Sequence, residues 1–264
     1  MNSFLSKSFA AATVVALATM SAAAFAAQGS SSPYTDAIGD IDPGIATAGG
    51  TLDITGMEVS NTATDLNFKL TVNGNISTTD WGKFMIGIAT QKTDGTLTGN
   101  GWGRPINLSY DNDPFAAQIV GMNHWIGSWV DGGGGSQFWT YDTGSSAWVG
   151  GAALPAFSLS AGTTSEVNYS VPLATMNLIP GNVIYFDAYS SGGGNGDSAI
   201  DSLANPNVSV TNWGDTYTSY ATGAGGPGLN AYTITAVPEP SSIAVVGLAG
   251  AAIAGHLMRR RRSA

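Results

Sequence analysis

The sequence predicts an all-β fold: an antiparallel β-sandwich, jelly-roll-like, flanked by an N-terminal signal peptide and a single C-terminal transmembrane helix. Three observations carry that prediction. Leu66, Phe68, Leu70 and Val72 alternate with Asn67, Lys69 and Thr71, the period of two that marks a half-buried strand. No stretch between the termini sustains a period of 3.6; Pro172 to Leu178 comes nearest and is allowed one turn. The chain holds 36 glycines, many of them between the apolar runs. Short strands separated by such turns build sandwiches rather than bundles.

At the front, Lys7, the apolar run Ala10 to Met20 and the small residues of Ala24-Phe25-Ala26 make a signal peptide over residues 1–26, cut before Ala27. Residues 27–236 then form one exported domain, long enough to bury a core. Leu52 and Ile54 fall on one parity and Met57 and Val59 on the other, with Gly56 between them. That change of phase predicts a β-bulge. Phe84, Ile86 and Ile88 make a further strand, ended by Thr93-Asp94-Gly95. Other strands are predicted at 115–120, 124–130, 137–142, 167–171, 183–189 and 232–235. Gly132 to Gly135 read as a hairpin tip, since no Lys-Ser/Thr and no helix follow to make a phosphate cradle. Pro227-Gly228 leads into the final strand, which closes the fold. No fixed-period repeat is present, which argues against a solenoid.

Of the nine basic residues, only Lys69, Lys83, Lys92 and Arg104 lie within 27–236, whereas every acidic residue except Glu239 does. Such a surface repels nucleic acid and attracts divalent cations. The chain has no cysteine, so disulfide staples, thiolate metal sites and cysteine nucleophiles are excluded.

Residues 237–264 have a different character. Val237, Pro238, Glu239 and Pro240 precede an apolar run from Ser241 to Met258, broken only by His256, and the run ends in Arg259, Arg260, Arg261 and Arg262. Eighteen residues of helix span about 27 Å, enough for a hydrocarbon core. The arginines stay on the cytoplasmic side, and the prolines hold the preceding backbone extended. This order of tag, short apolar helix and basic end closely resembles the PEP-CTERM sorting signal of Gram-negative bacteria. The resemblance implies recognition by an exosortase and cleavage near the Pro-Glu-Pro. It also implies a transient stay in the inner membrane, then transfer to the cell surface or the extracellular space.

In the opening half, Gly39-Asp40, Leu52-Asp53-Ile54, Val59-Ser60-Asn61, Leu66-Asn67-Phe68 and Asp80-Trp81-Gly82-Lys83-Phe84 follow one another. This cadence resembles carbohydrate-binding modules of the family-9-like and DOMON-like β-sandwich group, which implies a sandwich and a carbohydrate ligand.

Two sets of residues are candidate sites. Five of the seven tryptophans lie between Trp102 and Trp148. Trp125, Trp129, Gln137, Trp139, Tyr141 and Trp148 are the candidate sugar platform: flat aromatic faces suit the C–H side of a pyranose ring, and an amide serves its hydroxyls. The competing expectation is that tryptophans fill the core. Asp40 and Asp42, Asp111 and Asp113, and Asp197 and Asp201 place oxygen ligands at short intervals beside glycine or proline, as structural calcium requires. Asx turns, which need no ion, compete with that reading.

Catalysis has little to work with. His124 is the only histidine outside the tail, no Gly-x-Ser-x-Gly elbow accompanies it, and no carboxylate pair stands out. The expectation is an exported, exosortase-processed, non-enzymatic surface or matrix protein that binds exopolysaccharide, with no nucleic-acid partner. The alternatives are a secreted carbohydrate-active hydrolase using an aspartate pair and a purely structural matrix or adhesion protein.

Overall fold

The computed structural model describes residues 29–30, 33–45, 50–79, 81–90, 94–109, 121–154, 156–205, 210–220 and 229–237. The predicted signal peptide, the strand at 115–120, and the tail from Pro238 onward lie outside the described residues. The compact body runs from Ser30 to Thr235. Among the described residues, no helix is long and apolar enough to cross a membrane.

The strands of the first half are β1 (Gly29–Ser30), β2 (Tyr34–Thr35), β3 (Ile54–Asn61), β4 (Asp65–Asn73), β5 (Lys83–Thr90), β6 (Ile106–Ser109) and β7 (His124–Trp129). Those of the second half are β8 (Gly135–Asp142), β9 (Ala147–Ala152), β10 (Ala156–Ser160), β11 (Thr164–Pro172), β12 (Val183–Ser191), β13 (Ala199–Ser202), β14 (Tyr217–Tyr220) and β15 (Asn230–Thr233). One sheet has the order β1-β3-β4-β11-β10, with β2 also on β3. The other has the order β13-β12-β5-β7-β8-β9, with β15 also on β12. The registered pairs within both sheets are antiparallel, while β6 and β14 form a separate parallel ribbon.

Alternation places the core. On β4, Leu66, Phe68, Leu70 and Val72 are buried and their polar neighbours half-exposed, while β11 contributes Val167, Tyr169 and Val171. From the other sheet come Ile86, Ile126, Phe138 and Phe186, all in the same apolar cluster. Phe68 meets Phe186 edge-on at 5.9 Å, and the Ser128 hydroxyl reaches the Tyr169 hydroxyl at 2.8 Å. These contacts join the two sheets into a sandwich. The bulge expected at Gly56 is present, since the β3–β4 register shifts between Ile54 and Gly56. The one turn allowed near Pro172 is a 3-10 turn over Leu173–Met176. The Asn61 side chain clasps the end of the compact body: it accepts from the Tyr232 hydroxyl at 2.7 Å and from the Thr235 amide at 3.0 Å.

Strands β1, β2, β6, β9, β10, β13 and β14 are not among the expected ones, and two expected strands differ in detail. β5 does not alternate in burial, because every residue after Lys83 is enclosed. It lies in the middle of its sheet, and its outer face is also covered. The last strand is Asn230–Thr233 rather than 232–235, its register set by pairing with β12.

Candidate functional site

The β7–β8 hairpin sorts its side chains by parity. Ile126, Ser128, Ser136 and Phe138 face the sandwich interior, so Trp125, Trp129, Gln137, Trp139 and Tyr141 project from the outer face of the seven-stranded sheet. Part of that face is roofed. Tyr217 of β14 packs edge-on to Tyr189 at 5.9 Å, and Trp125 stacks on Tyr189 at 5.8 Å. Trp125 is therefore 0% exposed. This corrects its expected place on a binding face. Being on the outer side of a sheet does not make a residue accessible when a second layer covers it.

The strip beyond Trp125 stays open, and the loop Gly99–Arg104 forms one wall of it. Buried Asn100 shapes this loop. Its side-chain Oδ1 accepts from the Trp102 and Arg104 amides at 3.1 and 3.2 Å, and its side-chain Nδ2 donates to the Arg104 and Ile106 carbonyls at 2.9 and 3.1 Å. The Trp102 ring is thereby laid over Gly127, where a Cβ would stand 2.3 Å from its Cζ2. Trp102 Nε1 donates to Gln137 Oε1 at 2.9 Å, and its ring lies 6.4 Å from that of Trp129. Trp129 in turn lies over Gly135.

Together Trp102, Trp129, Gln137 and Trp139 line a groove of about 560 Å³, with Lys83, Asp131, Arg104 and Asn195 around it. Lys83 and Asp131 pair at 3.0 Å, and the hydrogen bond from the ammonium lowers the Asp131 carboxyl below its ordinary range. Arg104 is buried, and burial lowers its pKa from the ordinary arginine value. Its guanidinium donates to Ser191 Oγ at 2.7 Å, the Asp197 carbonyl at 2.9 Å and the Gly192 carbonyl at 3.1 Å. That fixes the loop carrying Asn195.

Of the six sequence-predicted platform residues, the structure brings Trp129, Gln137 and Trp139 into the groove. Tyr141 and Trp148 pair edge-on at 5.6 Å across β8 and β9, outside its lining. Sequence reasoning did not assign Trp102, Arg104 or Asn195 to the site. Trp102 stood within the tryptophan-rich stretch, but nothing in its spacing showed that its loop folds over Gly127.

The acidic candidates also rearrange. Asp40 and Asp201, expected in separate loops, come together with Asp36. Asp42 and Asp197 do not join them. Each accepts the amide of a nearby glycine: Asp42 from Gly44 at 2.7 Å in an Asx turn, and Asp197 from Gly194 at 2.8 Å, reaching back three residues to close its own turn. Asp111 and Asp113 lie outside the described residues. His124 packs between the sheets, with Nδ1 3.2 Å from Thr140 Oγ1 and its ring stacked on Phe138.

Residues 236–262 match the PEP-CTERM protein-sorting motif, spanning the tag, the apolar run and the four arginines. No curated protein matches the chain.

Proposed function

Since its tail is an exosortase sorting motif, the chain is an exported, exosortase-processed protein, and we propose that its sandwich is a non-catalytic binding module for extracellular polysaccharide. The observation that carries this reading is the convergence of Trp102, Trp129, Trp139 and Gln137 on one open groove. A volume of about 560 Å³ is of the size that small ligands and short chain segments occupy. Indole faces remove the C–H side of a sugar ring from water, while Gln137, Asn195 and the Lys83–Asp131 pair offer donors and acceptors to its hydroxyls. Glycoside hydrolysis needs two carboxyl groups, one of them protonated. The groove lining holds one, Asp131, and Lys83 keeps it ionised. After processing, the module acts at the cell surface or in the surrounding matrix, with exosortase as its processing partner.

A glycan array run beside a reducing-sugar release assay tests the proposal on residues 27–236. Binding without sugar release is expected. Trp129→Ala should weaken the best-bound glycan about tenfold, or roughly 1.4 kcal/mol, while the protein still folds and melts cooperatively by circular dichroism. Release of reducing ends, or full affinity in the variant, would overturn the reading.

A further inference from the structure

Asp36 and Asp40 lie in the loop after β2, and Asp201 lies on β13, the edge strand of the opposite sheet. One carboxylate oxygen from each comes within 4.8 Å of the others. Asp201 is 0% exposed, and its Oδ2 accepts the Ile54 amide at 2.5 Å, so the cluster sits where the margins of the two sheets meet. Carboxylates packed this closely repel one another unless a cation or a proton intervenes.

A second observation points to a cation. Asp53, only 2% exposed, adjoins the cluster: its Oδ2 accepts the amide of Gly39, the residue before Asp40, at 3.0 Å and the Asn73 side-chain amide at 3.1 Å. Its Oδ1 is enclosed and has no hydrogen-bond partner, and the same holds for both oxygens of Asp40 and for Asp36 Oδ2. Enclosed acceptors without donors are costly unless an ion fills the gap. Among the described residues, no basic side chain fills it. Lys69 is paired with Glu58 and Glu166, Lys83 with Asp131, and Arg104 bonds to Ser191 and the backbone.

We propose that Asp36, Asp40 and Asp201 hold one calcium ion, with Asp53 beside it, which ties the β2–β3 margin of one sheet to β13 of the other. Oxygen-only ligands select a hard cation, and an irregular set drawn from a loop and a strand suits the variable coordination of calcium better than the strict octahedron of magnesium. The ion neutralises the carboxylates and closes a loop of 165 residues between Asp36 and Asp201, a long-range constraint of the kind that a cysteine-free chain cannot obtain from disulfides.

The test uses the full chain in detergent, stripped with chelator and titrated with calcium chloride by calorimetry and thermal melting. Saturable binding is expected, with Tm raised by roughly 5–10 °C at a hundredfold excess over Kd. Asp40→Asn should lose the calcium shift yet melt at or above the wild type in chelator, because it removes a repelling charge and no hydrogen-bond partner. That opposite pair of effects separates an ion site from a simple packing role. A wild-type melt indifferent to calcium up to about 10 mM, an equal response to magnesium, or an Asp40→Asn protein that keeps the shift would each overturn the proposal. Glycan affinity is measured separately, so failure here leaves the groove reading untouched.

Discussion

Gly127 shows how one missing side chain makes the groove. The Trp102 ring occupies the space where a Cβ would stand, and Gly135 makes the same room for Trp129. Glycine costs strand stability, so its presence opposite two tryptophans reflects close ring-on-backbone packing. Gly127→Ala should displace Trp102, break its bond to Gln137 and destabilise the domain by about 1–3 kcal/mol. A lowered melting temperature with altered tryptophan fluorescence is the expected readout. Gly196→Ala, where a Cβ meets nothing within 4 Å, is the control and should leave both unchanged.

At the scale of elements, the loop between β12 and β13 depends on a cation. Arg104 supplies donors to the Gly192 and Asp197 carbonyls, and Asp197 closes the loop on itself through the Gly194 amide. Arg104→Met keeps the bulk and removes the donors, leaving buried acceptors unpaired. The expected cost is about 2–4 kcal/mol, with faster hydrogen exchange at the amides of Gly194 and Asp197 and weaker glycan binding through Asn195. If exchange there were unchanged, the loop would be held by its own turn and not by the arginine. Strands at this scale were legible where burial is one-sided. Leu66 to Val72 alternate because β4 has a solvent face, and the Gly56 phase change reports its bulge directly. The short strands β6, β13 and β14 were not legible, since they carry too few residues to show a period and owe their pairing to distant partners.

For the whole molecule, the matched tail and the sandwich make separate predictions. Processing near the Pro-Glu-Pro should give a mature product that lacks Arg259 to Arg262, read by mass spectrometry of protein recovered from the cell surface or medium. Replacing Pro238 and Pro240 with alanine should leave the arginines attached and the protein in the membrane fraction. Processing that is unaffected would show that the two prolines are not what the protease reads.

The sequence by itself determined the class of fold, the export signal and the lack of cysteine chemistry. Each follows from local order: a period of two, the succession of tag, apolar run and arginines, and a count of residue types. Only the tertiary structure decided which tryptophans stay open and which aspartates meet. Trp125 and Trp129 share a strand and a parity, yet one is sealed because Tyr189, Tyr217 and the β6–β14 ribbon roof it. Asp36 and Asp201 lie far apart in the chain and become neighbours because the two sheets fold face to face. Contacts between distant segments leave no periodic trace in either one, so pattern alone does not reveal them.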